Sequence, residues 1–239
     1  MFTYALLSSL LLGLTSAQTV AKTFTSWDCC KPACANNVAS RPDILANRGV
    51  ASVCNAQNQF LPRQQGLFAQ SSCAGGAAFL CDSYQPVPIS EDLSYGFAIQ
   101  VGGSPTPDNA NCCRCYDVQW LTGAAAGKKM TVQVINISNT PEADSDVKEN
   151  DLIILTPGGG VGPYNTGCLL QYGSQYAKSW GDDYGGVTSR ENCGNLPTNL
   201  QGGCYWRYNW ARGELNGWDI IYNQVTCPDR LVDISGCAA

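Results

Sequence analysis

The sequence predicts an all-β domain, a β-barrel with long loops. Five separate runs have strand character, Gly and Pro break the chain between them, and the helical patterns are short. Gly96-Phe97-Ala98-Ile99-Gln100-Val101 is the first run, and Tyr116 to Leu121 alternates in polarity. Met130 to Ile137 alternates cleanly, with one face more apolar, and Asp151 to Leu155 is a short buried run. Trp218 to Thr226 closes the series. Short helices are expected over Leu169 to Tyr176 and over part of Arg190 to Leu200. Pro86-Val87-Pro88 and Gly102 to Pro107 are loops, as is Pro157-Gly158-Gly159-Gly160, where only glycine tolerates such backbone freedom in a row.

At 239 residues the chain fits one domain, and with 44% hydrophobic residues it can bury a sizeable core. The net charge of −5 and the lack of any Lys/Arg run argue against a nucleic-acid partner. There is no histidine, which excludes Ser-His-Asp and Cys-His catalysis and imidazole-bound metals. Acid–base chemistry therefore falls to carboxylates.

Ala5 to Leu14 is an apolar run too short to span a membrane, and Thr15-Ser16-Ala17 offers small residues for cleavage. Residues 1–17 read as a secretory leader and 18–239 as a single catalytic domain, exported, soluble and not membrane-bound. One sequon, Asn136-Ile137-Ser138, lies in an expected strand.

The 14 cysteines run from Cys29 to Cys237 and read as a disulfide framework across one stapled domain. Cys112-Cys113-Arg114-Cys115 and Cys29-Cys30-Lys31-Pro32-Ala33-Cys34 lack the spacing of zinc ligands, so no metal is expected. Adjacent cysteines do not readily close on each other. Cys29/Cys30 and Cys112/Cys113 should each reach separate partners, as hubs that pin loops to a barrel.

Gly158-Gly159-Gly160-Val161-Gly162 lacks the Gly-Lys-Ser/Thr ending of a phosphate loop and follows no dinucleotide spacing. It reads either as an ordinary tight loop or as a close backbone approach beside a substrate cleft. Composition does not choose among 14 Asp and 5 Glu. Asp28 stands between Trp27 and a cysteine hub, a rigid position. Asp151 stands at the mouth of an apolar run, where desolvation favours a protonated general acid. Trp206, Tyr208 and Trp210 alternate as in a strand, with one face for the core and the other for a sugar-stacking platform.

Thr25-Ser26-Trp27-Asp28-Cys29-Cys30-Lys31-Pro32-Ala33-Cys34 resembles the opening signature of glycoside hydrolase family 45 endoglucanases. Further family segments follow in order: Cys112 to Tyr116, Gly127 to Met130, Pro157 to Gly162, Tyr184 to Arg190, Gly203 to Tyr208 and Gln224 to Pro228. The resemblance covers about Phe24 to Cys237. It implies a six-stranded double-psi β-barrel with long disulfide-stapled loops and a few short helices. The implied activity is endo-hydrolysis of β-1,4-glucans with inversion, by a cofactor-free monomer. Asp28 would be the general base, Asp151 the general acid and Asp144 its assistant, with Asp146 an alternative assistant. Trp27, Lys31, Gly159, Tyr164, Tyr184 and Trp206 would meet the substrate. The family pattern pairs Cys29 with Cys168, Cys30 with Cys73, Cys34 with Cys112 and Cys54 with Cys81. It also pairs Cys113 with Cys237, Cys115 with Cys227 and Cys193 with Cys204. Inversion requires the two carboxyls about 6.5–9.5 Å apart.

The chain departs from the family at several points. Ser26 and Asn36 replace aromatics, Glu149 replaces a His, Ala143-Asp144-Ser145-Asp146 replaces Gly-Asp-Leu-Gly, and two additional residues separate Asp151 from Pro157. Weaker sugar subsites would follow. The rival reading is a non-hydrolytic, expansin-like glucan-binding or wall-loosening protein on the same barrel. Expansins lack the base that Asp28 would supply, and they carry a second domain for which no room is expected here.

Overall fold

The computed structural model describes residues 18–38, 42–106, 109–139, 141 and 145–239. The leader and Asp144 lie outside the described residues. Seven strands form: β1 (Thr19–Ser26), β2 (Val87–Pro88), β3 (Leu93–Val101), β4 (Cys115–Trp120), β5 (Lys129–Ser138), β6 (Leu152–Leu155) and β7 (Trp218–Val225). Six of them, β3-β5-β4-β7-β1-β6, bond side by side, and β6 returns to β3, so the sheet closes into a barrel. Two-residue β2 is an appendage on β3. The pairs β1/β6 and β3/β5 are parallel and the rest antiparallel, the expected double-psi arrangement.

The five strands read from sequence all form. The first barrel strand, β1, escapes the pattern because Thr-Val-Ala-Lys-Thr-Phe-Thr-Ser carries few apolar residues. Its threonines instead satisfy buried groups: Thr23 Oγ1 donates to the Leu215 carbonyl at 2.9 Å and accepts from Trp120 Nε1 at 3.0 Å. β5 differs from expectation in burying both faces. Loops stapled over the barrel cover the outer side, where Asn136 Oδ1 accepts the Ala33 N–H at 2.9 Å. That amide is thus already engaged in holding a loop, a poor setting for a glycan.

Among the described residues five short helices lie outside the barrel: α1 (Pro42–Asn47), α2 (Arg63–Phe68), α3 (Thr166–Tyr172), α4 (Gln201–Asn209) and α5 (Asp229–Ser235). α4 corrects the strand reading of Tyr205 to Trp210. On a helix, positions 206 and 210 share a face. The Trp206 and Trp210 rings accordingly stack 5.3 Å apart at 13°.

Seven disulfides form, and the pairing is the one that the resemblance implies: 29–168, 30–73, 34–112, 54–81, 113–237, 115–227 and 193–204. Both adjacent-cysteine hubs contain a left-handed residue, Cys29 with φ 60° and Cys113 with φ 66°. The unusual backbone turns neighbouring side chains toward different partners.

One buried charge ties the loops at the end of β6 together. Arg207 of α4 is fully buried and makes no ion pair among the described residues. Its guanidinium donates to the carbonyls of Gly158 (2.9 Å), Gly185 (2.8 Å), Glu214 (3.0 Å) and, more weakly, Val187 (3.4 Å). Three separate segments meet on one planar fork, a geometry that lysine cannot reproduce. Arg207→Met should cost about 3–5 kcal/mol, because it strands buried carbonyls and unties the loops. Arg207→Lys should recover only part of this loss, as measured by the denaturation midpoint.

Candidate active site

β1 and β6 run parallel and end at the same rim of the barrel, with Ser26 opposite Leu155. Beyond β6 the glycine loop turns back through Gly158 (φ 72°), Gly160 (φ 101°) and Gly162 (φ 60°), conformations suited to glycine. Beyond β1 the chain continues beside it: the Trp27 N–H donates to the Gly160 carbonyl at 2.7 Å, and Ser26 Oγ does so at 3.2 Å.

Asp28 follows. Its Oδ1 accepts the Cys30 N–H at 2.9 Å, which fixes the carboxyl against its own turn. The 29–168 and 30–73 disulfides brace this turn from both sides. A Cβ on Gly167 of α3 would come within 2.6 Å of the Asp28 carbonyl, so the helix packs directly on it. Some of Asp28 still reaches solvent. The surrounding protein nonetheless desolvates the carboxyl and pushes its pKa up from 3.8 to about 6, against the lowering effect of the Cys30 N–H.

Asp151 is elsewhere. It precedes β6 and is 2% exposed. Its Oδ1 accepts the Lys22 N–H at 2.7 Å and its Oδ2 the Lys148 N–H at 2.7 Å. From Asp151 to Leu155 the strand climbs about 13 Å. Ser26, at the far end of that climb, is still two residues short of Asp28. The structure therefore does not bring Asp28 and Asp151 together. In this register they belong to opposite ends of β6, whereas an inverting pair needs its carboxyls about 6.5–9.5 Å apart. Asp151 stands two residues further from Pro157 than the family spacing, and each residue of a strand adds about 3.3 Å. At the family's usual spacing from Pro157 stands Ile153, which has no proton to give. Asp146 is exposed on the segment leading into Asp151, at the same distant rim.

The expected substrate contacts divide. Tyr184 is 78% exposed and Tyr164 56% exposed, and both belong to this rim. Tyr184 lies on the hairpin tip 183–185, whose Gly185 N would be 3.1 Å from a Cβ on Gly160. The Tyr164 carbonyl and the Asp28 carbonyl lie 3.8 and 3.6 Å from the same Cys73 sulfur.

The other four are engaged in packing. Trp27 is fully buried. Lys31 is buried, with Nζ donating to the carbonyls of Leu67 (3.1 Å) and Ala69 (2.9 Å), and burial lowers its pKa to about 8. Gly159 is buried because a Cβ there would meet Thr25 Oγ1 at 2.7 Å, so protein rather than substrate explains this glycine. Trp206 is 3% exposed and donates from Nε1 to Ser94 Oγ at 2.8 Å.

Sequence reading missed three residues that shape the rim. Arg207 stands inside the family segment Gly203 to Tyr208, which does not reveal the carbonyls it gathers. Asn216 Oδ1 accepts both the N–H and the Oγ1–H of Thr25, at 2.9 and 3.0 Å. Asp183 lends its carbonyl to the Gly162 N–H at 2.8 Å and leaves its side chain exposed. Nothing in their local sequence marks them, because each acts through a fold-level contact.

Among the described residues no helix is long and apolar enough to cross a membrane. The family model described as Glycosyl hydrolase family 45 matches residues 20–238. An endoglucanase of Cryptopygus antarcticus is 36% identical over 231 residues, covering 94% of this chain and 91% of that protein. An endoglucanase of Phaedon cochleariae is 35% identical over 219 residues, covering 89% and 81% respectively. A longer relative from Fusarium oxysporum is 35% identical over 217 residues, and the chain spans 51% of its length. The crystal structure of a cellulase from the Antarctic springtail Cryptopygus antarcticus superposes with a TM-score of 0.76 at 34% identity, over 94% of this chain and 98% of that one. With its closed barrel, seven disulfides and nearly full-length match, the chain belongs to glycosyl hydrolase family 45.

Proposed function

We propose that this protein is a secreted, monomeric endo-β-1,4-glucanase that cleaves internal bonds of cellulose or a related β-glucan with water, inverting the anomeric carbon. The match to the family across residues 20–238 carries this reading. Asp28 supports it as the base. A base works best with a pKa near the operating pH, and the Asp28 carboxyl is raised to about 6 while part of the residue still meets solvent. The exposed rings of Tyr164 and Tyr184 offer flat apolar faces on which sugar rings stack. Exposed side chains along this rim suit an endo-acting enzyme, which must admit a polymer in mid-chain. Secretion is supported by the leader pattern and by a framework of seven disulfides, which persist in oxidising compartments.

The direct test is release of reducing ends from carboxymethylcellulose or barley β-glucan. Wild type should release them, and Asp28→Asn should lose about 10²-fold or more of that rate. A wild type inactive on every soluble glucan would instead favour the expansin-like binding reading.

The pH dependence has a defined sign. A base must be ionised, so kcat/KM should fall as pH drops below about 6. For stability the raised pKa acts the other way. Below about 3.8 the carboxyl is neutral in both folded and unfolded chains, whereas between 3.8 and 6 only the folded chain keeps the proton. Stability should therefore decline as pH rises through that window, and Asp28→Asn should melt higher than wild type above pH 6. Paired melting curves at pH 4 and pH 7 read this out. Tyr184→Ala should raise KM about 10-fold through lost stacking, with the melting temperature unchanged because the ring is solvent-exposed.

A further inference from the structure

We propose that Asp183, on the tip of the 182–186 hairpin, is the proton donor opposite Asp28. The assignment rests on the glucanase reading above. An inverting hydrolysis needs a second carboxyl across the sugar from the base. Asp151 is excluded by its place: it is buried at the other end of β6, with both oxygens held by main-chain N–H groups. Asp146 and Glu149 lead into Asp151, and Glu149 packs on Gly102, just beyond the β3 end that borders β6 at Leu152.

Asp183 is at the correct rim. The Trp27 N–H bonds to Gly160, Gly162 bonds to the Asp183 carbonyl, and a Cβ on Gly160 would lie 2.5 Å from that same carbonyl. Two neighbouring-chain spacings, together about 10 Å of backbone, thus separate Asp183 from Trp27, the residue before Asp28. Carboxyls projecting from chains at that separation fall within reach of the inverting distance of about 6.5–9.5 Å.

Asp182 and Gly186 exchange two main-chain bonds, at 3.0 and 3.1 Å, which pins the base of the hairpin. Arg207 holds Gly185 and Gly158 on one guanidinium, which pins its tip to the glycine loop. The Asp183 side chain itself is exposed, as is Tyr184, the next residue in the chain.

The chemistry balances. The Asp183 carboxyl gives its proton to the glycosidic oxygen as the C1–O bond breaks, and the electron pair of that bond stays on the departing oxygen as a sugar hydroxyl. On the opposite face a water oxygen bonds to C1 while the Asp28 carboxylate takes its proton. One water is consumed, and exchange with solvent restores both carboxyls.

A substrate whose leaving group needs no proton separates a donor from a positioning residue. Asp183→Asn should lose about 10²–10³-fold of kcat on barley β-glucan, yet hydrolyse 2,4-dinitrophenyl cellobioside within about 5-fold of wild type. Asp151→Asn should depress both substrates together and lower the melting temperature, as a structural carboxylate would. Three results overturn the assignment: an Asp183→Asn enzyme that keeps glucan turnover, a folded Asp183→Asn enzyme that loses both substrates equally, or the leaving-group pattern appearing in Asp151→Asn. A wild type without activity on any glucan overturns the glucanase reading together with this one. An active wild type with an active Asp183→Asn overturns this one alone.

Discussion

The rim of this barrel depends on one guanidinium. Arg207 reaches from α4 into the protein and gathers carbonyls from the glycine loop, the Tyr184 hairpin and the segment before β7. Each segment alone is a glycine-rich loop with little apolar surface and no reason to hold one shape. A buried cation is costly unless its donors are satisfied, and here main-chain oxygens satisfy them. Burial lowers the pKa of Arg207, although a guanidinium remains charged throughout the physiological range. The fork therefore sets where the glycine loop lies, and the glycine loop sets where Trp27 and Asp28 lie through the Trp27–Gly160 bond.

Disulfides complete that logic from the other side. Cys29–Cys168 and Cys30–Cys73 close on the two residues that follow Asp28, and α3 presses on its main chain through Gly167. The protein packed around the carboxyl strips it of water and raises its pKa, while the Cys30 N–H that fixes it pulls the other way. In the proposed role of Asp28 as base, the enclosure that raises its pKa and the bracing that fixes its place would both serve preorganisation.

Much of this was legible in the sequence, and what was not has physical reasons. The strands β3 to β7 announced themselves through alternation in β4 and β5 and through apolar, β-branched runs in the others. β1 did not, since its threonines serve buried hydrogen bonds rather than an apolar stripe. The aromatics at 206, 208 and 210 fit a period of two, whereas only 206 and 210 share a helical face, and it is those two rings that stack. The disulfide partners followed from family resemblance alone, because spacing does not determine connectivity. Asp151 was placed by its motif, but two residues inserted within a strand carry a side chain about 6.6 Å along it. Trp27, Lys31, Gly159 and Trp206 have residue types common in sugar sites, yet each is taken up by the core. Residue type indicates what a side chain can do, and only tertiary contacts decide whether it is free to do it.

In the proposed mechanism a glucan chain crosses the rim between Asp28 and the hairpin tip. A crystal structure of Asp28→Asn with a bound cello-oligosaccharide tests it most directly. The expected result is a glycosidic oxygen within hydrogen-bond reach of the Asp183 carboxyl, the side chain at 28 on the opposite face of the sugar, and Tyr184 stacked on a ring. A sugar chain lying instead at the far end of β6 beside Asp151, with Asp183 left in open solvent, would contradict it.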